Sequence, residues 1–326
     1  MQLFRASLRL AGLCAALIAF MCAAAFAQAY PDKPIRMLVG FSTGSSTDVT
    51  ARLLAEEMGK SLGQRVVVEN KPGASSNLAT QTAAGADPDG YTLLMATVAN
   101  TINTAIGKGG EFDFPKDFKP IALVGAVPMI LTVNPKLGVK SVDELKALAA
   151  KKPDGLLYGS PGPGTAPHLS AELFGAAVGA KLVHVPYSGT GQAAQDLVAG
   201  RIDMMFAPAS SVIAQIKAGN LIGLATTLSK RAAIAPDLPT IAESGIADYN
   251  SSVWFGLMAP GKTPDAVVKT LADAVNAALK SEVILSAFGK QGIEALGGTP
   301  DELSQYIEAE ISRWSGVAEQ AGVKAQ

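Results

Sequence analysis

Cysteine is almost missing from this 326-residue chain: the only two, Cys14 and Cys22, both precede Ala29. Beyond them no disulfide, thiolate nucleophile or cysteine-ligated metal can form. Histidine is equally scarce, with His168 and His184 alone, so a metal site would need clustered carboxylates, and the sequence shows no such cluster. No metal and no cofactor are expected. Aromatic residues make up 6% of the chain, too few to suggest a stacking platform for carbohydrate. A basic excess is also lacking, since 27 Lys and Arg stand against 28 Asp and Glu. Nucleic acid, which calls for a basic stripe, is therefore not an expected partner. After the first residues, no apolar run approaches the roughly 20 residues that a bilayer-spanning helix needs.

What is present begins with a leader. Arg5 and Arg9 precede an apolar run from Leu10 to Phe26 that closes on Ala27-Gln28-Ala29. Basic, then apolar, then A-x-A is the order of a secretory signal over residues 1–29, and it predicts cleavage after Ala29 and a periplasmic mature chain. A lipoprotein leader is the competing reading, but Ala11-Gly12-Leu13 and Ala19-Phe20-Met21, which precede the two cysteines, match that pattern poorly. A mature chain of about 300 residues predicts two domains.

The pattern that follows is strand, polar loop, helix. Ile35-Arg36-Met37-Leu38-Val39 reads as a buried strand, Ser42 to Thr47 as a loop, and Val49, Leu53 and Met58 recur at helical spacing. Val66-Val67-Val68 with the loop Asn70 to Asn77, and Tyr91 to Ala96 running into Thr97, repeat the unit. The second half has the same grammar at Leu156-Leu157-Tyr158, at Leu182-Val183-His184-Val185 and at Ile202 to Phe206. Strands alternating with helices predict mostly parallel sheets, with ligands outside the carboxyl ends of the strands. Apolar segments at Ile121 to Val133 and Val253 to Ala259 are the expected crossovers between two α/β lobes. In the helical C-terminal part, Ala266, Val267, Leu271, Val275 and Leu279 form one apolar stripe, and Leu303, Ile307 and Ile311 another, with Trp314 facing the same core.

The loops after the strands are rich in Ser, Thr and Gly and nearly free of charge, with Asp48 and Lys71 as exceptions. Hydroxyls and free amides at helix N-termini suit an anionic group; each such residue is also an ordinary helix cap. Gly159-Ser160-Pro161-Gly162-Pro163-Gly164-Thr165 lacks the ending of a P-loop and the spacing of a dinucleotide fingerprint. Asp48, His168 and Ser160 would make a hydrolase triad only if folding brought them together, and no G-x-S-x-G elbow occurs. His168 either packs at a helix start or gives one hydrogen bond to a ligand, and His184, inside a strand, is expected to be structural. Tyr187 lines a cleft or packs a surface. Asp203 is kept as a site candidate, with pinning a loop from behind as its alternative.

The residues resemble the Bug, or TctC-like, extracytoplasmic receptors of tripartite tricarboxylate transport over nearly the whole mature chain. Tyr30-Pro31-Asp32-Lys33-Pro34-Ile35-Arg36, Thr47-Asp48-Val49-Thr50-Ala51-Arg52 and Asn70-Lys71-Pro72-Gly73-Ala74 carry the likeness in the first half. His184-Val185-Pro186-Tyr187 with Gly189-Thr190-Gly191, Pro239-Thr240-Ile241-Ala242-Glu243-Ser244-Gly245 and Ala259-Pro260-Gly261-Lys262-Thr263-Pro264 complete it. The resemblance implies a type II periplasmic-binding-protein fold: two α/β lobes joined by two crossover strands, with the ligand cleft between them. The implied division is 30–125 and 254–326 for the first lobe and 126–253 for the second. It implies a small organic carboxylate as ligand, the membrane permease subunits of a tripartite tricarboxylate transporter as partners, and a monomer that binds without catalysis. Carried over by position, the ligand residues are Phe41, Ser42, Thr43, Ser45, Ser46, Thr47 and Asp48; Ser75, Ser76 and Thr97; Ser160, Thr165 and His168; and Tyr187, Gly189 and Thr190. The family usually has consecutive glycines where this chain has Gly44-Ser45 and Ser75-Ser76, side chains that narrow a pocket or add donors. Two other readings stay open at this point: a periplasmic hydrolase or isomerase on the same scaffold, and a sensory receptor presenting the bound acid to a signalling partner.

Overall fold

β1 (Ile35–Val39) buries every side chain except that of Arg36. The loop after it leads into α1 (Ser46–Leu62), which starts where the Ser45 hydroxyl accepts the Asp48 N–H and stops at Gly63 with φ 66°, a left-handed residue that glycine supplies without steric cost. β2 (Val66–Asn70), α2 (Asn77–Ala84), β3 (Thr92–Thr97) and α3 (Val98–Ala105) repeat the unit, and β1 lies parallel between β2 and β3. The computed structural model describes residues 30–247 and 249–320; the leader and its cleavage site lie outside them.

A short helix, α4 (Phe114–Asp117), precedes β4 (Phe118–Val133), whose 16 residues serve two sheets. The second sheet is built from α5 (Val142–Ala150), β5 (Leu156–Ser160), α6 (Ala166–Val178), β6 (Leu182–Pro186), α7 (Thr190–Ala199), β7 (Met204–Pro208), α8 (Ala209–Lys217) and β8 (Ile222–Thr226), with β5 parallel to β6 and β7. Up to Pro128, β4 pairs antiparallel with β9 (Ser252–Pro260), and β9 lies against β3. From Met129 onward β4 pairs with β7 and β8 instead. One strand thus passes from one α/β half into the other.

The return crossing differs from the expected one. Val253 to Ala259 lie wholly within the first sheet, because β9 fills the space between β3 and β4. The chain has already crossed back at Ser251, whose N–H donates to the Thr227 carbonyl while the Thr227 N–H donates to Met129 in β4.

The C-terminal part covers the first half. α9 (Asp265–Leu279) packs on α1 and β4, α10 (Glu282–Gln291) follows, β10 (Glu294–Ala295) pairs with β4, and α11 (Pro300–Gln320) covers α3 and β4. Leu271, Val275, Leu279, Leu303, Ile307 and Trp314 are buried as their spacing predicts, whereas Ala266 is exposed and Val268 takes the core position. Glu310, buried at this contact, accepts the indole N–H groups of Trp254 and Trp314, each at 3.0 Å, and pairs with Arg313. Among the described residues no helix is long and apolar enough to cross a membrane.

Candidate ligand-binding site

Where the carboxyl ends of the parallel strands in the two halves face each other lies a small, narrow cavity. Its wall is supplied by the starts of five helices: Ser45, Ser46 and Thr47 at α1, Thr97, Val98 and Ala99 at α3, Thr165, Ala166 and Pro167 at α6, Thr190 at α7, and Pro208 at α8. Phe41, Pro161 and Val253 close the remainder. A helix start carries N–H groups without partners inside the helix and about half a positive charge, although the Asp48 and Ala99 N–H groups are taken by Ser45 and Thr97 and Pro167 and Pro208 have none. Among the described residues no Lys, Arg, His, Asp or Glu lines it.

Three of the hydroxyls have fixed roles. Ser45 accepts the Asp48 N–H, Thr97 accepts the Ala99 N–H, each at 3.2 Å, and Thr190 accepts the Ser211 hydroxyl at 3.1 Å. Thr165 instead donates its proton to the Gly162 carbonyl at 2.7 Å. Ser46 and Thr47 are buried; the Ser46 carbonyl accepts the Thr50 hydroxyl at 2.8 Å, and neither side-chain hydroxyl has a hydrogen-bond partner among the described residues.

Phe41 and Pro161 also border a second, larger and more open cleft, with Ser75, Tyr187 and Ser188 on its walls. Here the halves touch directly. The Ser42 N–H donates to the Ser188 carbonyl at 3.4 Å, and the Ser75 hydroxyl donates to the Pro163 carbonyl. A Cβ on Gly189 would lie 2.0 Å from the Ser42 hydroxyl oxygen, and one on Gly164 would lie 2.6 Å from Asn103 Oδ1. A side chain at either position displaces these side-chain ends, and at Gly164 the φ of 78° adds a backbone reason for glycine. Ser42, Ser75, Tyr187 and Gly189 therefore sit at the seam, outside the cavity wall.

The other sequence candidates are placed elsewhere. Thr43 is exposed and donates to Asn70. Asp48 lies behind the first loop, accepting from Gly44 N–H and Asn70 Nδ2, both at 2.9 Å, and from Arg52 at 3.1 Å. Its burial favours the neutral acid, but the bonds from Arg52, Gly44 and Asn70 outweigh that and hold its pKa below the usual carboxylate range. Ser76 is fully buried, its hydroxyl without a partner among the described residues, in a run of left-handed residues, Ala74, Ser75 and Ser76, with φ of 45°, 52° and 79°. Asp203 does not approach the cavity. Its carboxylate takes the Leu157 N–H and Lys152, each at 2.8 Å, and so pins the opposite end of β5. Lys71 is paired with Glu69 at 3.7 Å, away from the wall.

Ser160 is also turned away. Its hydroxyl is fully buried, 2.6 Å from His184 Nε2, and makes hydrogen bonds with Gly162. His168 takes the Gly164 N–H on Nδ1 at 3.4 Å and packs on His184 with ring centroids 4.5 Å apart. Burial, then the neighbouring His184 and Lys108, push His168 down to about 3, and burial pushes His184 down to about 4. Both rings are neutral near pH 7 and serve as packing behind the Pro161–Gly164 loop. Asp48 stands in the other half, so the conceivable Asp–His–Ser triad does not assemble.

Sequence reasoning on polar residues passed over part of the wall. Ala99, Pro208 and Val253 look like core in the sequence, whereas Val98 follows Thr97 in a loop that the family resemblance already assigns to the ligand. Ser211 is visible only through its bond to Thr190. The one usable signal is position, since all but Val253 sit where a strand turns into a helix.

Two α/β halves sharing a crossing strand, with helix starts converging between them, define a two-lobed solute-binding protein. The chain belongs to the TctC family: residues 50–323 match the model of the tripartite tricarboxylate transporter family receptor. It is 37% identical over 300 residues to Protein BugT of Bordetella pertussis, covering 91% of this chain and 92% of BugT. The solved periplasmic binding protein BugD superposes with a TM-score of 0.87 at 33% identity, covering 91% of this chain and 100% of BugD. A protein of R. palustris, solved with adipate, superposes with a TM-score of 0.86 at 34% identity, covering 90% of this chain and 98% of the other. The fold is the two-lobed periplasmic-binding type that the sequence predicts.

Proposed function

We propose that the protein captures a small organic carboxylate in the cavity between its lobes and delivers it to the permease subunits of a tripartite tricarboxylate transporter. The observation that carries this reading is the meeting of five helix starts in a space lined by no charged side chain. Such a space favours an anion held by N–H and O–H donors. The adipate-bound relative supports the ligand class. In this reading residues 1–29 direct export and are removed after Ala29, 30–125 with 254–326 form the first lobe, 126–253 form the second, and the mature protein works as a periplasmic monomer. Phe41, Ser45, Ser46, Thr47, Thr97 and Thr190 contact the ligand, and the seam residues Ser42, Ser75, Tyr187 and Gly189 close over it.

Binding without turnover is part of the same reading. Neither Ser160 nor His184 lines the cavity, and no acid is hydrogen-bonded to His184 among the described residues. A thermal-shift screen of the mature protein tests the proposal, because a ligand that binds only the folded state raises its stability. Adipate or a related di- or tricarboxylate is expected to raise the melting temperature in a saturable way. A panel of carboxylates without effect, alongside a shift from a neutral sugar, refutes it.

A further inference from the structure

Arg313 on α11 lies outside the cavity wall, and we infer that it is a positioning residue for ligand capture, clamping the return crossing in the arrangement that brings the two halves together. This rests on the reading that the ligand is held between the lobes. Arg313 is tied firmly to the first half. Its Nε and Nη2 donate to the two oxygens of Glu310 at 2.7 and 2.9 Å, and its guanidinium carbon lies 4.3 Å from the Trp314 ring centre. Glu310 is held in turn by the indole N–H groups of Trp314 and of Trp254 in β9, both on Oε2. A planar guanidinium with one edge committed in this way still has donors on the other. Nη1 uses that edge to reach the Asn250 carbonyl at 3.2 Å.

Asn250 is fixed to the second half through both of its neighbours. The buried Tyr249 donates its hydroxyl to the Ser170 carbonyl at 2.6 Å and stacks on Phe206 of β7, and the Ser170 hydroxyl donates to that of Ser251 at 3.1 Å. Ser170 lies in α6, about one turn beyond the Ala166 and Pro167 of the cavity wall. Ser251 is where the chain crosses back, and Val253, just after it, is itself part of that wall. The segment from Tyr249 to Val253 thus carries a grip from α6, a grip from α11 and a surface facing the ligand. Arg313 cannot follow α6, because its other contacts among the described residues are all with the first half. Its bond to Asn250 is made in the arrangement in which Ser42 meets Ser188 and Ser75 meets Pro163. Turning the halves apart at the crossings carries Asn250 away with α6 and breaks it. The bond therefore favours the arrangement that encloses the ligand, and affinity rises with it.

Two variants separate the clamp from the stability of the fold. Arg313→Lys keeps a positive charge beside Glu310, but one ammonium cannot hold both Glu310 oxygens and the Asn250 carbonyl. Glu310→Gln with Arg313→Met removes both charges together, so neither is left buried and unpaired, and the amide oxygen still accepts the indole N–H groups. Beyond Cys22 the chain has no cysteine, so spin labels on Glu56→Cys and Gln195→Cys, exposed positions on α1 and α7, report the distance between the halves. Pulsed electron resonance on the labelled mature protein, titrated with adipate, gives the near and far populations, and thermal melts confirm that each variant is folded. The adipate concentration at the midpoint of the shift to the near population is expected to rise by about three- to tenfold in both variants. A midpoint within twofold of the parent in a folded variant overturns the clamp, whatever its melting temperature. If adipate leaves the parent distances unchanged, that result counts against the carboxylate reading alone, and the ligand-free populations decide the clamp. A near population smaller in the variants than in the parent then supports it, and equal populations overturn it.

Discussion

Thr190 offers the sharpest test of how the negative charge is met. Its hydroxyl lines the cavity and accepts from Ser211 at 3.1 Å, leaving its proton for the ligand. Thr190→Val keeps the shape and removes that donor. The helix start does not depend on the hydroxyl, because α7 is preceded by Gly189 and has no side-chain cap. A hydrogen bond to a charged acceptor contributes about 1.5–3 kcal/mol, so affinity for the tightest-binding carboxylate is expected to fall by roughly 10- to 150-fold. Ser211 does not line the cavity and acts only by orienting Thr190. Ser211→Ala is therefore expected to weaken binding about threefold, near 0.6 kcal/mol, and to add nothing in the Thr190→Val background. Calorimetry on the two single variants and the double variant completes the cycle, with thermal melts confirming that each folds. A Thr190→Val affinity within twofold of the parent refutes the donor role. A Ser211→Ala effect that persists without the Thr190 hydroxyl refutes the positioning role.

Three further outcomes are expected. Ser75 holds a left-handed conformation, which costs a non-glycine residue about 1–2 kcal/mol, and bonds across the seam; Ser75→Gly should raise the melting temperature yet weaken ligand binding several-fold, and a rise in both would dissociate the seam from binding. His168 and His184 have folded pKa values lowered to about 3 and 4 from 6.5. Stability should then be full above pH 6.5 and fall as the unfolded chain takes up protons below it, by about 2 kcal/mol from His168 alone between pH 6.5 and 5; denaturant titrations that are flat across this window, or that lose this slope only when another residue is replaced, contradict the assignment. Since no cation lines the cavity, Lys71→Ala should leave affinity unchanged, and raising salt from 0.05 to 0.5 M, the latter with a Debye length of about 4 Å, should weaken it only slightly; a steep salt slope would point to a basic residue at the ligand.

The strand–loop–helix grammar, the buried C-terminal stripes and the placement of polar loops at strand ends were legible because hydrophobic period and helix starts are local properties. The assignment of individual hydroxyls was not. Thr165 and Thr190 both open helices in Gly-rich loops, yet one proton is spent on Gly162 and the other is free, a difference set by loop geometry and by Ser211 twenty-one positions away. Ser160 read as a donor until His184, on the adjacent strand, claimed it. Asp203 sits at the start of its strand, and the parallel register with β5 places it at the end opposite the cavity. Apolar wall residues such as Ala99 and Val253 carry no signal, because a residue facing a closed cavity has the same composition as one facing core.

The central claim is that helix starts and hydroxyls, with no basic side chain, hold the ligand carboxylate between the lobes. A crystal structure of the mature protein with the tightest-binding acid from the screen tests it most directly. The account predicts carboxylate oxygens within about 3.2 Å of N–H groups at the starts of α1 and α7 and of the Thr190 hydroxyl. A ligand carboxylate paired with a Lys or Arg, or an acid bound only in the outer cleft beside Tyr187, would contradict it.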